Sequence, residues 1–209
     1  MPVTAKICGL STPEALDAAI AGGASHVGFV FFPPSPRNVG FEQARSLMAR
    51  VPTHVGTVGV FVDPDEALLS AALATGIQVV QLHKTAPERA AAIRARVPVW
   101  AAVAIKTSAD IGQAAAYRGA ADRILYDAKT PDTAALPGGM GLRFDWKLLD
   151  NIPQPLPWAL SGGLDAGNVR EAVNVTGARL VDVSSGVESA PGVKDVAKIA
   201  AFLQAVAQC

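Results

Sequence analysis

Two side chains of kinds that move protons, Cys8 and Asp127, stand where apolar runs of this 209-residue sequence stop. Cys8 closes the first run, Lys6-Ile7-Cys8-Gly9, and Gly9 lets the backbone turn away. A lone internal cysteine is usually a small buried hydrophobe. At a strand end beside a glycine it can also serve as base or nucleophile, wherever its surroundings favour the thiolate. Asp127 closes a second run, Leu125-Tyr126-Asp127-Ala128, with no helix following at once for it to cap. Across one pocket the two would supply an acid and a base, as relocation of a proton within a substrate requires.

Other residues suit anions. Arg37 sits on a stiff scaffold, Pro33-Pro34-Ser35-Pro36-Arg37, and its fork matches a carboxylate bidentately. Three small-residue turns follow later runs: Gly138-Gly139-Met140-Gly141, Ser161-Gly162-Gly163 and Ser184-Ser185-Gly186. Each alone is a weak signal. Together, Gly139, Gly141, Gly162, Gly163, Ser184, Ser185 and Gly186 offer backbone N–H groups for a phosphate. His83 ends the run Val79-Val80-Gln81-Leu82 and can shape the pocket, though a lone histidine there is as often structural. His26 and His54 lie at run starts and receive no role; Trp100, Trp146 and Trp158 read as packing. No His/Cys/Asp cluster has metal-ligand spacing, so no metal is expected.

The elements that must position these groups repeat. Apolar runs rich in Val, Ile and Phe begin near Ala5, Ser25, His54, Gln78, Val97, Asp122, Trp158 and Leu180, as in strands buried on both faces. Alanine-rich segments with helical spacing lie between them. Thr12-Pro13-Glu14 opens one with an N-cap and a first-turn proline, and Asp63-Pro64-Asp65-Glu66 opens another. Gly22-Gly23, Gly76 and Gly177 are placed to close helices. The spacing is roughly 25 residues, near the minimum for a βαβ repeat. Eight such units close into a (β/α)8 TIM barrel, here a single domain over residues 1–209. An open doubly wound sheet is the competitor, but Cys8-Gly9-Leu10-Ser11 is not its glycine fingerprint. Ala128 to Phe144 is too long for an ordinary loop and falls on the face where barrels hold active sites.

Composition narrows the class. The 18 Lys and Arg balance the 18 Asp and Glu without blocks, so no nucleic-acid partner is indicated. Two cysteines imply no disulfide framework and fit a reducing cytoplasm. Neither a secretory leader nor a membrane span is apparent, and no obligate protein partner is indicated.

Seven segments in order give the chain a specific likeness: Lys6-Ile7-Cys8-Gly9, Ser35-Pro36-Arg37, Val79-Val80-Gln81-Leu82-His83, Leu125-Tyr126-Asp127, Gly141-Leu142-Arg143-Phe144-Asp145-Trp146, Leu160-Ser161-Gly162-Gly163-Leu164 and Asp182-Val183-Ser184-Ser185-Gly186-Val187-Glu188. Over essentially its whole length the sequence resembles the phosphoribosylanthranilate isomerases of tryptophan biosynthesis. The resemblance implies a cofactor-free Amadori rearrangement of a small phosphorylated substrate. It also implies Asp127 as general acid, Cys8 as general base and Arg37 on the anthranilate carboxylate. His83 and Asp182 would line the pocket, and the turns after the seventh and eighth strands would hold the phosphate. The sequence departs from the family pattern at Lys84, where glycine is usual, and at Met140, where threonine is usual. Two rivals stay open: the related sugar-phosphate isomerase of histidine biosynthesis, and a non-catalytic phosphate-binding barrel. The first typically has aspartate at the Cys8 position and two similar half-barrels, and no half-to-half repeat is evident here.

Overall fold

The computed structural model describes residues 2–130 and 139–209. Eight parallel strands close into a barrel in sequence order: β1 Thr4–Cys8, β2 His26–Val30, β3 Gly56–Val62, β4 Val79–His83, β5 Val99–Ile105, β6 Arg123–Ala128, β7 Trp158–Leu160 and β8 Leu180–Val183. All eight begin within two residues of the starts read from the sequence. Closure is made by β1 against β8, with Thr4 opposite Leu180 and Lys6 opposite Asp182.

Helices pack around the outside: α1 Pro13–Ala21, α2 Phe41–Met48, α3 Glu66–Leu73, α4 Pro87–Arg94, α5 Ser108–Gly112, α6 Val169–Thr176 and α7 Val196–Val206. The caps are those the sequence announces. Thr12 Oγ1 accepts from the Ala15 amide and Asp65 from the Leu68 amide, each satisfying an amide that the first turn leaves without a partner. Gly177 ends α6 at φ +70, and Gly23 follows the Gly22 cap of α1 at φ +85. Gly76 differs: α3 is capped by Ala74, and Gly76 makes a later turn at φ +104.

Two places depart from a strict strand–helix repeat. Among the described residues between β6 and β7 there is no α-helix, only a 3-10 turn at Trp146–Leu149. Pro153, Pro155 and Pro157 explain why, since three alternate residues without amide donors cannot continue a helix. After β8 a 3-10 turn, Ser185–Val187, leads into a small hairpin, β9 Glu188–Ala190 and β10 Val193–Lys194, turned by Pro191-Gly192 with Gly192 at φ +81.

Strand alternation sorts the side chains into two cores. Residues such as Ile7, Val27, Phe29, Phe61 and Val181 point outward beneath the helices and are fully buried there. Inside the barrel, Val58, Trp100, Leu125, Ala159 and Leu180 form a dry plug. Below it His26 packs edge-on against Trp100, with centroids 5.0 Å apart, and the Arg123 guanidinium lies 5.1 Å over the same ring. That end is filled, so only the C-terminal mouth remains for chemistry.

Lys84 adopts φ +53, in the left-handed region that L-residues other than Asn and Asp seldom enter. The turn leaving β4 thus asks for the glycine usual at this position, and lysine is strained in it. Lys84→Gly should therefore raise unfolding stability by up to about 1 kcal/mol, the relieved strain exceeding the entropy cost of glycine. A fall in the denaturant midpoint would show that the lysine side chain has compensating contacts.

Candidate active site

The strand ends meet around one pocket, with about 560 Å³ of empty space partly open to solvent. Cys8, Arg37, His83, Asp127, Asp182 and Ser184 give it a polar side. Val30, Phe32, Val60 and Val62 give it an apolar wall, suited to the face of an aromatic ring. Cys8 and Asp127, from the first and sixth strands, therefore border the same space.

A second recess adjoins the first and shares Asp127, Ser161, Asp182 and Ser184 with it. Gly139, which also borders the first pocket, Gly141, Gly162, Gly163 and Ser185 are among its other lining residues. Gly162 and Gly163 have φ +91 and +63, and a side chain on Gly162 would meet the Ala128 amide nitrogen at 2.7 Å. Glycine is needed there to let the backbone come this close. Gly186 stands apart from this recess: a Cβ on it would lie 1.9 Å from the Leu164 carbonyl oxygen, so its smallness serves the packing of two loops. Gly138 lies outside the described residues.

Arg37 is placed in the pocket, but its fork is already engaged. Nε and Nη2 donate to the two carboxylate oxygens of Glu188 at 2.7 and 2.8 Å, and Nη2 also donates to the Gly139 carbonyl at 2.9 Å. In this arrangement a bidentate grip on a substrate carboxylate would have to displace Glu188 or the Gly139 carbonyl, and Nη1 is the edge not so engaged. Lys194 Nζ donates to the same Glu188 carboxylate at 2.7 Å and to the Ser184 carbonyl at 2.9 Å. The hairpin after β8 therefore orders the rim of the pocket.

At the floor, Lys6 is fully buried and donates to Asp182 Oδ1 at 2.8 Å, along the β1–β8 register. Ser161 Oγ donates to Asp182 Oδ2 at 3.3 Å. Burial penalises the Lys6 ammonium, but Asp182 and Cys8 outweigh it and hold the lysine above its ordinary range. Burial pushes the Cys8 thiol up, while Lys6 works in the opposite direction. Burial, reinforced by the negative charge of Asp182, pushes Asp127 up to about 7. His83 is forced down to about 4 by burial and by Lys6, which keeps its ring neutral. Its Nε2 pairs with Gln81 Nε2 at 3.0 Å, while Gln81 Oε1 is buried with no partner among the described residues.

Lys6, Gln81, Glu188 and Lys194 were not singled out from the sequence. For Lys6 a signal was there: a lysine inside an apolar strand, two residues from the cysteine and so on the same face, is seldom buried without a purpose. Glu188 and Lys194 carried none, because only the hairpin turns them towards Arg37. Among the described residues no cluster of three His, Cys, Asp or Glu could hold a metal ion, and no helix is long and apolar enough to cross a membrane.

Asp127 makes a pH signature. Its folded-state value, about 7, lies above the ordinary 3.8, so its contribution to stability is full below about pH 4 and is lost as pH rises through 7. Asp127→Asn removes that loss. The variant should gain on wild type between about pH 4 and 8, by a few kcal/mol at the upper end, in parallel denaturant titrations. A difference that does not change with pH would contradict the raised value.

The family model for N-(5'-phosphoribosyl)anthranilate (PRA) isomerase matches residues 5–205. The N-(5'-phosphoribosyl)anthranilate isomerase of Zymomonas mobilis subsp. mobilis is 57% identical, over 99% of each chain. Phosphoribosyl anthranilate isomerase from Thermotoga maritima superposes with a TM-score of 0.90 at 38% identity, over 99% of this chain and 100% of that one. Another structure of such an isomerase, in complex with reduced 1-(o-carboxyphenylamino)-1-deoxyribulose 5-phosphate, superposes at 0.86 with 35% identity, over 99% and 100% of the two chains. A closed eight-strand barrel with this mouth, matched from end to end at such identity, belongs to the N-(5'-phosphoribosyl)anthranilate isomerase family.

Proposed function

We infer that the chain catalyses the isomerisation of N-(5-phosphoribosyl)anthranilate to 1-(o-carboxyphenylamino)-1-deoxyribulose 5-phosphate, the Amadori step of tryptophan synthesis. The observation that carries the assignment of roles is the shared pocket of Cys8 and Asp127, with a neutral-leaning carboxyl on one side and a thiol beside an ammonium on the other.

The substrate has a phosphate, a ribose and a benzoate-type ring, and the mouth offers a place for each. The phosphate takes the glycine-lined recess, where Gly162, Gly163, Ser184 and Ser185 present backbone and hydroxyl donors. The aromatic ring lies against Val30, Phe32 and Val60, and its carboxylate reaches Nη1 of Arg37. The ribose is left between Cys8 and Asp127. Its hydroxyls supply the donor that Gln81 Oε1 lacks, since an unpaired buried carbonyl costs about 1–3 kcal/mol.

Asp127 acts first. Its proton passes to the ring oxygen, the C1–O bond breaks, and the anilino nitrogen lone pair forms the C1=N bond of a protonated Schiff base. Cys8, as thiolate, then removes the C2 proton, and that electron pair makes the C1=C2 bond while the C=N pair returns to nitrogen. The enolamine tautomerises to the ketone. Holding both ends of the substrate orients the reacting sugar, and each acid–base group contributes typically 10²–10⁴-fold.

Cys8→Ala and Asp127→Asn should each lower kcat by roughly 10²–10⁴-fold with little change in KM. Near-wild-type turnover by either would remove its role. Arg37→Ala should act mainly on KM, because Arg37 both meets the carboxylate and fixes Glu188. Turnover of the histidine-pathway ribonucleotide alone, in an assay of both substrates, would overturn the assigned reaction.

A further inference from the structure

Barrel order sets five side chains on four adjacent staves. Asp127 stands at the end of β6, Ser161 one residue past β7, Asp182 on β8, and Lys6 with Cys8 on β1. Tyr126 pairs with Leu160 and Leu160 with Val181, so Asp127, Ser161 and Asp182 each lie one residue further in the same register. Asp182 is opposite Lys6. The hydrogen bonds follow this arc: Ser161 Oγ to Asp182 Oδ2 at 3.3 Å, and Lys6 Nζ to Asp182 Oδ1 at 2.8 Å.

Space on the β2 side lets the lysine lie against the thiol. Gly28 is the partner of Cys8 in the ladder, and a Cβ there would stand 3.0 Å from Cys8 Sγ and 3.1 Å from Lys6 Cε. Both atoms therefore border one small gap that any other residue at position 28 would fill. The pair is costly as architecture: a buried ion pair can often be replaced by apolar residues of similar volume without loss of stability. Its location, between the two groups that exchange protons with the sugar, offers a different reason for it.

We propose that Lys6 and Asp182 are positioning residues that polarise the site, the ammonium facing Cys8 so that it can shed its proton and the carboxylate facing Asp127 so that it keeps its own. This rests on Cys8 and Asp127 being base and acid, as inferred above. The other charges near the pair do not supply this field. Lys194 also acts on Cys8 but is tied to Glu188, which is tied in turn to Arg37, and His83 across the barrel is neutral. The direction of each influence agrees: burial raises the Cys8 thiol against an opposing Lys6, whereas for Asp127 burial and Asp182 act together.

The test uses Asp182→Asn and the doubly neutral Lys6→Met/Asp182→Asn, with unfolding curves confirming the fold. The Cys8 thiolate is titrated by its ultraviolet absorbance against a Cys8→Ser background, and kcat/KM is followed against pH. Asp182→Asn leaves the ammonium unopposed and should move the thiol titration downward by about one unit. The double variant should move it upward by about one unit and lower kcat by about tenfold or more, with KM nearly unchanged. Folded variants that both titrate as wild type and keep its kcat would overturn the proposal and leave the pair a structural bridge. If Cys8→Ala itself turned over at the wild-type rate, the acid–base assignment would fall first and this inference with it.

Discussion

Closure of the sheet between β1 and β8 is the constraint on which the site depends. It brings residues 4–8 beside residues 180–183, and the Lys6–Asp182 pair bridges that seam inside the barrel. Without closure Cys8 would end an edge strand far from the strands that carry Asp127 and the glycine recess. Parallel strands with right-handed crossovers deliver every strand end to the same face. The plug of Trp100, Leu125 and Leu180 fills the barrel beneath, so a substrate can enter only from the mouth. Topology thus assembles the pocket, and side-chain chemistry decides what happens in it.

Burial has opposite consequences for the two groups inferred to handle protons. Removing water from a carboxyl favours its neutral form, which is what an acid needs, and Asp127 gains this simply by lying at the barrel mouth beside another carboxylate. Removing water from a thiol also favours its neutral form, which a base cannot use. One solvent-poor pocket would therefore help Asp127 and hinder Cys8 unless a cation stood near the sulfur. Lys6 opposes that penalty, although burial still holds the thiol above its ordinary range, and Asp182 keeps the lysine charged in surroundings that would otherwise neutralise it. An Asp127 carboxyl pushed up to about 7 and a neutral His83 also limit how many charges this small volume must hold.

How much of this the sequence reveals depends on the range of the interaction. Strand starts, the Thr12 and Asp65 caps and the ends carrying Cys8 and Asp127 are local signals, and the structure repeats them nearly residue for residue. That the described residues between β6 and β7 hold no α-helix is also a local matter, written in Pro153, Pro155 and Pro157, although alanine-rich periodicity elsewhere suggests a regular repeat. The engagement of Arg37 was not legible. Its partner is 151 positions away and is aimed by a two-strand hairpin too short to show as a pattern. Lys84 shows the converse: a departure visible in the sequence acquires its meaning only from the backbone, whose φ of +53 suits glycine.

The acid–base chemistry inferred for this mouth requires one sugar to lie between a sulfur and a carboxylate. A crystal structure of this chain with the reduced, unreactive form of the product bound would locate both against it. Cys8 Sγ should lie about 3–3.5 Å from the sugar C2, with an Asp127 oxygen about 2.6–3.2 Å from the hydroxyl that derives from the ring oxygen. A ligand whose C2 faces away from Cys8, or whose former ring oxygen is out of reach of Asp127, would contradict it.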